Sequence, residues 1–171
     1  MCWQTVEQQF IPALAKASTV VQHFKPHETL KSTETNYENN WKEKSLENLE
    51  KDYWGEPTYD SHLVKTCHQL RKKQIKDFEI EDLRIMIGQN IGLKFLIPFA
   101  FDRLTANIFS EGNNYKGDLL KSVITSEKEF WTTRPDLFEE LSKIIRDNLE
   151  LLRDNMPELI LDFENLKAVK K

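Results

Sequence analysis

Four groups of residues have types and spacings that could support chemistry. The stretch "GQNIGLK", residues 88–94, sets two glycines ahead of a lysine, as a phosphate-cradling loop would. Such a loop needs a Lys-Ser or Lys-Thr pair after a strand, so that backbone amides and an ammonium surround the phosphates. Neither is present, and bulky Ile91 stands where the backbone would have to come close. Close helix packing at small residues is the better reading. His23 and His27 have a zinc-compatible spacing, but Pro26 lies between them and Glu28 alone does not complete a ligand set. Cys67 adjoins His68, yet helical neighbours point roughly 100° apart, so the imidazole does not face the sulfur. Cys67 instead shares an apolar stripe with Leu63 and Leu70, where a free thiol acts as a small hydrophobe. The many carboxylates (Glu47, Glu50, Asp52, Glu56, Asp60, Glu79, Glu81, Asp82, Glu111 and Asp118) fall in helix first turns and on polar faces. No pair carries the mark of acid–base work, which needs one member buried. The sequence therefore argues for no catalytic residue, no cofactor and no metal.

Aromatic residues beside acidic ones are more informative. "YWGEPTYD" places Tyr53, Trp54 and Tyr59 among Asp52, Glu56 and Asp60 near a turn. Such a patch could anchor a basic protein partner, because rings lose little entropy on burial. The plainer alternative is that Trp54 caps the core and Tyr59 covers a helix end.

The elements that must position these residues are helices. The chain has 171 residues, 39% hydrophobic and 30% charged, with only five glycines and six prolines. This suits one globular domain built from long regular elements. Residues 1–44 read as an extension: a short amphipathic helix interrupted near Pro12, then a polar linker. They balance five basic against five acidic residues, so the net charge of −4 belongs to residues 45–171. In that second part Ser45 can cap "LENLEKDYW", which stops at Gly55, and Asp60 or Ser61 can cap "HLVKTCHQLRKK". "IEDLRIMIGQN" carries acidic residues in its first turn and the stripe Leu83, Ile87, Ile91. Gly92 can stop this helix in a left-handed conformation, and Pro98 suits the first turn of the next. After a turn at "EGNNYKGD", Gly117 or Asp118 starts "LLKSVI", and "SEKE" from Ser126 is a capping-box pattern. Pro135 opens a long helix through Leu137, Leu141, Ile144, Ile145, Leu149 and Leu152, and Pro157 opens the last. The expectation is an all-α, bundle-like domain of six to seven helices over residues 45–171, able to fold without residues 1–44. Lys94 and Asp102 leave only "FLIPFAF" uninterrupted, too short to span a membrane. Two cysteines form no disulfide framework, and the N-terminus has no signal-peptide pattern, so a cytoplasmic protein is expected.

The run from "SLENLEKDYWGEPTYD" through "EDLRIMIGQNIGLKFLIPFAFDRL", followed by "YKGDLLKSVITSEKEFW", resembles the small helical immunity proteins of bacterial contact-dependent growth inhibition systems. The resemblance extends from about Ser45 to the C-terminal helix and leaves residues 1–44 unaligned. It implies a cytoplasmic binding protein that neutralises the C-terminal toxin domain delivered by a neighbouring cell, often a nuclease, with no direct contact to nucleic acid or membrane. An acidic protein suits a basic nuclease surface, since charge complementarity speeds encounter. Toxin contacts vary within the family, so none carries over. On turn-flanking position, Glu56, Asp60, Glu111 and Asp118 are the expected charged contacts, with Tyr59 the aromatic anchor. The alternative is a helical regulatory or adaptor module, antitoxin-like, binding another protein or DNA. Its support is limited to one basic cluster, Arg71, Lys72, Lys73 and Lys76, which reads as a solvated helix end.

Overall fold

The computed structural model describes residues 40–58 and 60–168. The helix expected near the N-terminus, His23, His27 and Tyr59 lie outside the described residues. Within them the architecture is all-α, with nine helices: α1 Leu46–Glu50, α2 His62–Lys72, α3 Ile80–Gly88, α4 Leu93–Ala106, α5 Asp118–Ile124, α6 Lys128–Thr133, α7 Pro135–Asp147, α8 Leu149–Asn155 and α9 Pro157–Ala168. Short 3-10 turns at Trp41–Glu43 and Ile75–Asp77 precede α1 and α3.

Helix α4 is the axis of the core. Leu93, Phe95, Leu96, Ile97, Phe99, Ala100, Phe101 and Leu104 are all buried, so the helix is apolar on nearly every side, as a central helix must be. Helices α3, α5 and α7 pack against it, and α9 covers α5. The stripe Leu83–Ile87–Ile91 is buried as its spacing predicts, and so are Leu137, Leu141, Ile144 and Ile145 of α7.

The start of α4 differs from the sequence expectation. Gly92 is left-handed (φ 67°), as expected, but it serves as the N-cap of α4, whose first residue is Leu93. Pro98 therefore lies inside the helix, where it cannot donate the usual bond to the preceding turn. A glycine is required at 92 for a second reason. A Cβ there would lie 2.7 Å from both methyl carbons of Leu46, the fully buried first residue of α1.

Three other boundaries moved because side chains had distant partners. Helix α1 stops at left-handed Lys51 rather than reaching Trp54, since Arg71 takes Asp52 and Trp54 into a separate cluster. Ser126 is not a helix cap. It is buried, donates to the Val123 carbonyl (2.7 Å) and accepts the indole N–H of buried Trp131 (2.9 Å). Asn148 divides the long C-terminal helix into α7 and α8, donating its side-chain amide to the Ile144 carbonyl (2.9 Å). This split contributes to a helix count above the expected six to seven. Trp41, within the segment read as linker, packs on Phe95 and Phe99 at centroid distances of 6.3 and 6.4 Å.

Candidate partner-binding loops

Two surface loops carry the residues singled out from the sequence, and each is braced from beneath by buried charge. The first, residues 51–61, joins α1 to α2. Arg71 of α2 is 2% exposed and directs its guanidinium into the loop. Its Nη1 donates to Glu50 Oε2 (2.6 Å), and Nη2 donates to the Asp52 carbonyl (2.8 Å) and to Asp52 Oδ2 (3.3 Å). The Arg71 Cζ stands 4.2 Å from the Trp54 ring centre, in cation–π contact. Trp54 in turn donates its indole N–H to Asp52 Oδ2 (2.8 Å). His68 meets the same ring edge-on at 5.2 Å, with Nδ1 3.2 Å from the Gly55 carbonyl oxygen. A buried arginine is costly unless its charge is met, and here Glu50 and Asp52 meet it through both terminal nitrogens while Nε has no hydrogen-bond partner, so one side chain ties together positions 50, 52 and 54.

The basic cluster is only in part a solvated helix end: Lys72 and Lys76 are exposed, as that reading expects, but Arg71 is not. Arg71 is buried against Glu50 and Asp52, Lys73 pairs with Asp82 (2.6 Å), and Lys76 pairs with Glu43. Cys67 is fully buried in the core, and burial pushes its thiol up to about 11, so it stays protonated at neutral pH.

Glu56 and Asp60 are exposed on this first loop, as expected, and Asp60 forms an ion pair with Lys65. Trp54 is half-buried against the core, in line with the plainer reading of that residue. Tyr53 is 68% exposed.

The second loop, residues 107–117, joins α4 to α5. Glu111 is exposed on it. Asp118 is not exposed, contrary to expectation: it is 2% exposed, and both its oxygens face inward to the loop backbone. Oδ1 accepts the Gly112 N–H (2.7 Å) and Oδ2 the Asn114 N–H (3.2 Å). Between them, the Asn113 N–H donates to Glu81 Oε2 (2.8 Å). Arg84 holds Glu81 from the other side through two bonds of 2.7 Å and lies 3.8 Å from Asp118 Oδ2. That guanidinium holds the Glu81 carboxyl below the usual carboxylate range, aided by the Asn113 amide and opposed by burial. The Gly112 position is crowded by the same groups: an added Cβ would press on Glu81, Asp118 and Arg84.

Residues 48–141 match the family model of the CDI immunity proteins, more than half of the chain. The chain belongs to the CDI immunity protein family. No curated protein and no solved structure matches it. The family match runs from α1 into α7 and takes in both braced loops, while α8 and α9 lie beyond it. Arg84 and Gly112 go unremarked in the sequence, and Arg71 and Glu81 count there only as part of a basic cluster and as a first-turn carboxylate. The three-residue spacing of Glu81 and Arg84 was a visible signal for a helical ion pair. Nothing local marks Arg71, whose partners lie about twenty residues upstream. Among the described residues no helix is long and apolar enough to cross a membrane.

Proposed function

We propose that this CDI immunity protein neutralises a cognate C-terminal toxin domain by binding it in the cytoplasm, with no turnover, cofactor or metal of its own. Membership of the family over residues 48–141 is the observation that carries the reading. The toxin is a nuclease with a basic surface, and the net charge of −4 supports electrostatic steering toward it. The first loop supplies the encounter surface: Glu56 and Asp60 are exposed carboxylates on it, Asp60 beside Lys65, with Tyr59 between them in sequence and Arg71 fixing the start of the loop at Asp52. Glu111 adds a charge on the second loop. A DNA-binding adaptor draws less support, because Arg71, Lys73 and Lys76 each face a carboxylate of the same chain.

The test is co-expression of the full chain with the C-terminal domain of the exoprotein encoded beside it. Growth should be protected and the two should co-purify. A chain that neither protects nor binds refutes the immunity reading. In the Glu56→Lys/Asp60→Lys double variant, association measured by surface plasmon resonance should slow roughly threefold to tenfold at low salt, with little change in dissociation. The difference should shrink at high ionic strength, where surface charges are screened. Equal association rates at low salt would remove the first loop from the encounter surface.

A further inference from the structure

The second loop is held more firmly than a polar surface turn requires. Three successive backbone N–H groups, those of Gly112, Asn113 and Asn114, all end on carboxylate oxygens drawn from α3 and α5. One of those carboxylates, Asp118, is almost wholly buried, and Arg84 beside it offsets the concentrated negative charge. At its base the loop is closed by the Gly117 N–H donating to the Phe109 carbonyl (3.3 Å). Gly117 itself is left-handed, with φ 79°. These contacts fix the backbone and leave the side chains of Asn113, Asn114, Tyr115 and Lys116 exposed.

Tyr115 is the prominent member, 47% exposed. The other exposed large hydrophobics differ in setting. Tyr53 directs its hydroxyl to Asn48 (3.4 Å), and Leu151 and Leu161 stand on helix faces. A tyrosine offers a large contact area with few torsions to freeze, and a backbone already fixed removes the ordering cost of the loop beneath it. Among the exposed residues of the tip Glu111 is offset by Lys116, so Tyr115 is flanked by opposite charges rather than set in a one-sided charged patch.

We propose that Tyr115 is the aromatic anchor of this protein on its toxin, seated in an uncharged pocket of the toxin domain. This rests on the immunity reading. The two loops then divide the work: the acidic first loop governs encounter, and the braced second loop governs how long the complex lasts. Asp118 is a positioning residue rather than a contact, acting through the Gly112 and Asn114 amides.

The experiment is surface plasmon resonance of the full-length chain against the purified toxin domain at two ionic strengths. Tyr115→Ala should speed dissociation by about tenfold or more, the size expected for a buried aromatic anchor. Its association rate and salt dependence should match the parent. Asp118→Asn, which can accept at only one of its two positions, should also speed dissociation in the parent background. In the Tyr115→Ala background it should add little, because a brace has no effect once the group it presents is gone. Circular dichroism of each variant should match the parent. Dissociation of Tyr115→Ala within twofold of a parent that binds would overturn the anchor, and a full additive effect of Asp118→Asn would overturn the bracing. A parent that does not bind the toxin at all refutes the immunity reading, and this proposal falls with it.

Discussion

Replacing Gly92 by alanine adds one methyl group at the junction of α3 and α4, and two independent costs follow. The backbone cost comes from φ 67°, a left-handed conformation that disfavours an L residue by roughly 1–2 kcal/mol. The packing cost comes from Leu46, whose two methyl carbons would lie 2.7 Å from the new Cβ. Leu46 is fully buried, so it cannot swing clear, and overpacking of this kind costs about 1–3 kcal/mol. Together the two give a loss of about 2–5 kcal/mol, a large share of the stability of a domain this size. Gly92→Val should be worse, since branching at Cβ adds bulk on the same side. Urea denaturation followed by helical circular dichroism measures the loss as a lower midpoint at unchanged slope. The double variant Leu46→Ala/Gly92→Ala separates the terms, because removing the leucine methyls relieves the crowding and leaves the backbone strain. Gly92→Ala should therefore cost less in the Leu46→Ala background than in the parent. A Gly92→Ala protein that unfolds with the parent would refute the buried-junction reasoning outright.

Ser126→Ala should lower stability by about 1–3 kcal/mol in the same assay, because it strands the buried indole N–H of Trp131. Glu140 of α7, exposed but partly desolvated by its neighbours, has its carboxyl pushed above the usual range, first by that desolvation and then by Asp102 and Asp136. Folding therefore favours its protonated form, so Glu140→Gln should stabilise the protein above the Glu140 pKa and lose that advantage as the pH falls through the usual carboxylate range; denaturation at pH 7 and pH 4 checks the sign. A chain beginning at residue 40 should unfold cooperatively. One beginning at Ser45 should still fold but be less stable by about 1–2 kcal/mol, the loss of half-buried Trp41 against Phe95 and Phe99.

Much of the fold is legible because its causes are local. The stripes Leu83–Ile87–Ile91 and Leu137–Leu141–Ile144 announce α3 and α7 through helical spacing alone, and both are buried. Pro135 and Pro157 open α7 and α9 as their missing N–H groups allow. Where a residue's partner is remote, the same reasoning misplaces it. Ser126 has a capping-box pattern around it, but Trp131 takes the hydroxyl. Trp41 stands alone among polar neighbours, and only α4 folding back beside it makes it part of the core. The candidate site divides in the same way. Glu56, Asp60 and Glu111 flank turns and are exposed, whereas Asp118 also flanks a turn and is buried, because the loop amides of Gly112 and Asn114 converge on it.

That last difference bears on how an acidic protein can steer a partner. Counting charges suggests a broad negative surface, but many of the carboxylates are spent within the chain. Glu50 and Asp52 answer Arg71, Asp82 answers Lys73, Glu43 answers Lys76, Glu81 answers Arg84, Asp102 answers Lys42, and Asp162 answers Lys121. Opposite charges a few ångströms apart cancel at distances beyond a Debye length of about 8 Å, so these pairs contribute little to the field a partner meets on approach. Under the proposed function the steering field comes from the surplus, and Glu56 on the first loop is an exposed member of it. A few fixed charges on rigid loops give a directional field, and direction is what docking two specific patches demands. In this reading the pairs of Arg71 with Glu50 and Asp52 and of Arg84 with Glu81 brace the two loops, and the unpaired surplus within a net charge of −4 acts at the place they define.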